Sequence, residues 1–179
     1  DRLLMEEDPF ALVEGMTIAG YATGCERGFL YLRGEYPLAA ERMDMQTSYI
    51  EILPGENPDA AFDRIRQARV QGIIVFQDAG MVARATLLAA FALKERLPAV
   101  SGWAQFAQAG FLATYGPNLG DAFRRLAVYA DRLLKGARAD SLPVELPTRI
   151  ELVVNTKTAK AIGVTIPQSL LLRADEVIQ

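Results

Sequence analysis

The chain contains no histidine and one cysteine, Cys25, in 179 residues. These scarcities exclude an intrachain disulfide, a Cys/His zinc site and any Ser-His-Asp or Cys-His catalytic pair. Hydrolytic or metal chemistry would have to rest on carboxylates alone, and no paired-carboxylate acid–base site is legible. Cys25 follows Gly24 with no activating neighbour in sequence, which predicts an inert thiol. No run of about 18 apolar residues occurs, so no membrane span is expected. The opening DRLLMEEDPF lacks a basic segment followed by an apolar one; either an export signal was removed or none was present. A net charge of -3 with scattered Lys and Arg argues against a nucleic-acid partner.

What is present alternates between short apolar runs and helical patterns. Asp8-Pro9 followed by FALVEGMTIAGYATG predicts a helix that Gly24 ends, and GFLYLRG (28–34) predicts a strand. PLAAERMDM (37–45) reads as a short helix and SYIEIL (48–53) as a second strand. ENPDAAFDRIRQARV (56–70) is amphipathic, with Ala61, Phe62, Ile65 and Ala68 on its apolar face. GIIVFQDAG (72–80) has the unbroken apolar character of a strand buried on both faces of a parallel sheet. A helix over 81–96, a strand over 97–102, a short helix from Trp103 and a strand over 111–116 follow. Next come a long helix over 118–136, a loop, a strand over 148–155 and a short helix over 156–163. Strands alternating with helices build βαβ units. The expected fold is α/β: an open, mostly parallel sheet with helices on both faces.

Residues 113–178, ATYGPNLGDAFRRLAVYADRLLKGARADSLPVELPTRIELVVNTKTAKAIGVTIPQSLLLRADEVI, carry a family pattern. The YGPN tetrapeptide, the LPVE-x-P-T segment, the ELVVN-x-K-T-A-K-A-x-G string and the RADEVI ending follow one another at its spacing. From about Thr47 to Gln179 the chain resembles the substrate-binding proteins of ABC transporters, in the branch of tryptophan-type receptors. The resemblance implies a Rossmann-like lobe of a type I periplasmic binding protein, exported to the periplasm. It also implies a small amino-acid-like or aromatic solute, an ABC permease as partner, and no enzymatic activity, cofactor or metal. A complete receptor has two lobes. Residues 47–179 correspond to the second lobe and the terminal segment, which leaves a half-cleft through which two copies could pair as a homodimer.

EGMTIAGYATG and YLRGEYPLAAER, within residues 1–43, belong to a different pattern. They resemble the flavin-bearing, NADH-oxidising subunit of respiratory complex I and of NAD-linked formate dehydrogenases. That resemblance places Glu35 and Tyr36 beside a flavin. The glycine-rich nucleotide loop and the iron–sulfur cysteines of that family are missing, and one cysteine cannot hold a four-thiolate cluster. The expected organisation is a chimera joined between Arg42 and Thr47. Residues 1–46 would form a βα segment that completes the sheet of residues 47–179 as one compact domain. The alternatives are a fragment of the oxidoreductase, or a folded chimeric domain without ligand activity.

In an open α/β sheet, ligands lie against loops at the carboxyl ends of strands. Three such loops are readable. FQDAG offers Asp78, as an acceptor for a ligand amine or as a helix cap. SGWAQF offers Trp103, Gln105 and Phe106, as a stacking surface or as core, Phe106 leaning to core. TYGPN offers Tyr115 and Asn118, the latter equally suited to cap the next helix. Arg124 and Arg125 read as solvated, and Glu6, Glu7 and Asp8 as charges favoured by a helix start.

Overall fold

The computed structural model describes residues 50–52, 56–147 and 149–179. The elements expected over 8–24, 28–34 and 37–45 lie outside this set, as do Cys25, Glu35 and Tyr36. The described chain runs α1 (Pro58–Gln67), β1 (Ile73–Val75), α2 (Ala79–Ala83), α3 (Ala85–Lys94), β2 (Ala99–Ser101) and α4 (Ala104–Ala109). It continues through β3 (Ala113–Pro117), α5 (Leu119–Leu134), a 3-10 turn (Ala139–Ser141), β4 (Ile150–Asn155), α6 (Thr156–Ile162), α7 (Gln168–Leu171) and β5 (Glu176–Ile178).

Four of the helices start on a side-chain cap that the sequence spells out. Asn57, Asp78, Asn118 and Asn155 each turn a side-chain oxygen onto a free amide of the following turn, at 2.8–3.0 Å. At the other end, α4 and α6 stop on Gly110 and Gly163, whose φ of 120° and 80° favour glycine.

The strands form one sheet in the order β1-β2-β3-β4-β5. β1, β2 and β3 are parallel, β4 runs antiparallel to β3 over Ala113–Pro117, and β5 is parallel to β4. The mostly parallel α/β sheet expected from the alternation of elements is therefore present. The main core lies beside β1 and β2, where Phe62 of α1 stacks on Phe91 of α3 with centroids 4.1 Å apart. Phe106 and Phe111 close the same core at 5.1 Å. Burying each ring contributes about 1.5–3 kcal/mol. Ala61, Phe62 and Ile65 are buried as the amphipathic pattern requires, and Ala68 is half-buried at the helix end.

Three expectations need correction. The helix expected over 81–96 is two helices, because the backbone at Arg84 leaves the helical region at φ -103° and ψ 3°. The strand over 72–80 pairs only through Ile73–Val75. Its Ile73 and Ile74 stay half-buried, since β2 is the one strand beside β1 among the described residues. Residues 50–52, from the strand expected over 48–53, hold no regular element. Ile50 and Ile52 still pack onto the main core, so their apolar character was a sign of burial rather than of pairing.

Candidate functional site

Because β1, β2 and β3 are parallel, their carboxyl ends open on one edge of the sheet. The antiparallel β4 brings its start to the same edge, where Gly116 faces Glu151 and Pro117 faces Ile150. Residues 76–78, 102–103 and 116–118 therefore converge there, together with Arg149 and Glu151.

Two glycines make this convergence possible. A Cβ on Gly102 would lie 2.4 Å from Nε2 of Gln77, and one on Gly116 would lie 2.1 Å from the carbonyl oxygen of Gly102. The loop after β1 thus rests on the loop after β2, which in turn rests on the end of β3. Gln77, Gly102 and Gly116 were not singled out from the sequence. The legible signal was a glycine directly after an apolar strand run, where backbone must approach backbone.

Asp78 is exposed at the end of β1, with Oδ1 accepting from the Met81 amide at 2.8 Å. Cap and acceptor are compatible, because a carboxylate has further lone pairs for an amine. Asp78 also lines an apolar cavity with Ile52, Ile65, Ile73, Val75 and Met81.

Trp103 is half-buried against the main core, Phe106 is fully buried within it, and Gln105 is exposed on α4. Tyr115 is half-buried in a separate apolar cluster with Leu152, Val154 and Leu170. Trp103 and Tyr115 thus sit in different clusters rather than forming one aromatic wall. Asn118 has both ends of its amide engaged: Oδ1 accepts from the Asp121 amide, and Nδ2 donates to Glu151 at 2.7 Å. Glu151 also pairs with Arg149 at 2.9 Å, so the rim beside β3 is a closed polar network. Arg124 and Arg125 are exposed and ion-paired, with Asp121 and Glu145 respectively.

Among the described residues there is no group of three or more His, Cys, Asp or Glu able to hold a metal, and no helix long and apolar enough to cross a membrane.

Comparison with known proteins divides the chain unequally. Residues 1–73 match the model of the Nuo51 FMN-binding domain. The NADP-reducing hydrogenase subunit HndC of Solidesulfovibrio fructosivorans is 54% identical over 43 residues, which are 24% of this chain and 9% of that protein. Among solved structures, a conserved domain protein from Vibrio cholerae superposes with a TM-score of 0.80 at 21% identity, over 92% of this chain and 58% of that one. A Streptococcus pneumonia ABC domain in complex with L-Trp follows, with a TM-score of 0.74 at 21% identity, over 85% of this chain and 54% of that one. The chain therefore spans about a tenth of the length of the curated relatives it matches and little more than half of these two solved ones. Residues 39–178, well over half of the chain, match the model of the ABC transporter substrate binding protein, overlapping the other match at 39–73. The chain belongs to the ABC transporter substrate binding protein family.

Proposed function

We propose that the chain is a partial solute-binding component of an ABC transporter that takes a small amino-acid-like or aromatic solute at the carboxyl edge of β1–β3. The observation that carries this reading is the glycine-mediated stacking of the three strand ends, which leaves Asp78 and Trp103 at one rim. Asp78 accepts the solute amine, Trp103 offers a ring face and Gln105 flanks it, while Tyr115, held in the cluster of Leu152 and Leu170, supports the end of β3. Asn118 acts by fixing the rim beside Glu151 rather than by contact. No chemical step is proposed. The family and the L-Trp-bound neighbour support a binding role, with an ABC permease as partner and the periplasm as location.

With little more than half of each solved relative's length spanned, the edge is one side of a cleft. Less of the solute is buried, and affinity is correspondingly weak. The joint between the two resemblances belongs to this proposal as well: residues 1–46 complete the domain formed by 47–179 without adding chemistry.

A thermal-unfolding series with amino acids, aromatic acids, NADH and flavin mononucleotide tests the reading. Solute at about 100 times its dissociation constant adds about 2.7 kcal/mol and raises the midpoint. A rise with one amino-acid-like solute is expected. A rise with flavin mononucleotide alone would support the second reading, a fragment of an NADH-quinone oxidoreductase with Glu35 and Tyr36 at the flavin. That reading is favoured by the match of residues 1–73 and by the likeness to HndC over 43 residues. No rise with any compound would leave a folded chimeric domain without ligand activity.

A further inference from the structure

The side-chain amide of Gln77 is held in place and left unused. A Cβ built on Gly102 would stand 2.4 Å from its Nε2 and 2.6 Å from both Cδ and Oε1. Three nearly equal distances mean that the amide lies with its flat face on Gly102, so its N–H and C=O edges point along the rim. Gln77 is half-buried, yet neither edge makes a hydrogen bond among the described residues. A partly desolvated amide offers donors and an acceptor for a solute to satisfy. Beside it, Asp78 gives Oδ1 to the Met81 amide and keeps Oδ2 open among the described residues. Charge at the rim has one sign. In residues 76–78, 102–103 and 116–118, Asp78 is the one charged side chain. Arg149, at the same edge, is taken by Glu151 at 2.9 Å and faces Asp121 at 3.8 Å. Arg84 holds no ion pair among the described residues, but the five residues of α2, about 8 Å of helix, separate it from Asp78.

We infer that Gln77 and Asp78 together select a net-positive aromatic amine, the α-amino amide being the form that uses both residues, a selection that rests on the solute-binding reading of this edge. The ammonium group donates to Oδ2 of Asp78 and to Oε1 of Gln77. Nε2 of Gln77 donates to the carbonyl oxygen next to that amine, and the Trp103 ring takes the aromatic group. An aromatic acid without an amine brings a second anion to Asp78, with no cation in these loops to offset it. A free amino acid stands between the two. Its ammonium is held, but its carboxylate meets Asp78 with only the neutral amide of Gln77 as donor. Gly102 is the positioning residue. Any side chain there displaces the amide, whose far end is free to swing away, so glycine at 102 is what lays Gln77 across the rim.

Four probes of one ring and different charge test this: phenylalanine amide, phenethylamine, phenylalanine and phenylacetate. Each is titrated into the full chain at about pH 6, below the α-amino range, with Trp103 fluorescence as the readout. The amide is expected to bind most tightly and phenylacetate at least tenfold more weakly, with the other two between. Gln77→Leu keeps the bulk without the hydrogen bonds. It should weaken the amide at least fivefold and phenethylamine less, so that the two draw level. Gly102→Ala should do the same by displacing Gln77, and combining it with Gln77→Leu should bring no further loss. A calorimetric melt checks that each variant is folded. Phenylacetate binding as tightly as the amide would overturn the selection while leaving solute binding at this edge intact. So would an amide preference that Gln77→Leu leaves unchanged. Phenylalanine binding more tightly than its amide would overturn it too, and loss of that preference in Arg84→Gln would assign the carboxylate to Arg84. No saturable change with any of the four, in a protein that melts cooperatively, would overturn the selection and the solute-binding reading together.

Discussion

Gly116 lies directly beneath the carbonyl of Gly102: a methyl group at 116 would stand 2.1 Å from that oxygen. The contact joins the end of β3 to the loop after β2 and so determines how tightly the rim closes. Gly116→Ala forces backbone apart rather than rotating a side chain. It should cost about 1–3 kcal/mol and lower the melting midpoint by several degrees. It should also weaken solute binding, because the loop carrying Trp103 moves. A calorimetric melt together with a solute titration checks both effects.

Two residues earlier, Thr114 is 1% exposed, and its Oγ1 has no hydrogen-bond partner among the described residues. A buried hydroxyl that has given up water for nothing is a net cost. Thr114→Val keeps the shape and the β-branching, so it should raise stability by about 1 kcal/mol. The urea midpoint is the readout, and an unchanged slope would show that the unfolded state is not the source.

Asp78 has two assigned roles that substitution separates. Asn caps a helix as well as Asp but cannot pair with an amine as an anion. Asp78→Asn should therefore leave the melting midpoint within a degree or so while weakening solute binding. Asp78→Ala should do both: lose the cap, at about 1 kcal/mol, and lose the solute. Equal loss of binding with no difference in stability would remove the cap from the account.

The Arg125 guanidinium, hydrogen-bonded to Glu145, holds that carboxyl below the usual glutamate range. Its folded pKa is depressed, so the contribution is complete above the unfolded glutamate value. It fades as the pH falls through the lower folded one. The difference in melting midpoint between wild type and Glu145→Gln should thus be largest near neutrality and vanish on acidification. Arg138 lowers Asp140 in the same sense on the neighbouring turn, and that pair is untouched by Glu145→Gln.

Much of the fold was readable because local chemistry and tertiary placement agreed. The apolar spacing of Ala61, Phe62 and Ile65 announced α1, and Asn118 announced both the start of α5 and its cap. Arg84 broke a helix that composition alone made continuous, since no glycine or proline marks the position. β5 (Glu176–Ile178) was not foreseen. Its three residues become a strand by pairing with Val153–Asn155, a partner distant in sequence that no local pattern reveals. At the site, the parallel topology brought the three expected loops together, but the pleat sent Tyr115 into another cluster than Trp103. Gln77, Glu151 and the two glycines act through contacts distant in sequence, and only the fold displays them.

Trp103 is the one tryptophan of the chain and stands at the rim of the proposed site, half-buried against the core. Its fluorescence is therefore the most direct reporter of the central claim. Titrating the full chain with amino acids other than tryptophan and with aromatic acids should give a saturable change with at least one of them. That change should shift to markedly higher concentration in Asp78→Asn. A signal that stays flat with every such solute, in a protein that melts cooperatively, would contradict solute binding at this edge.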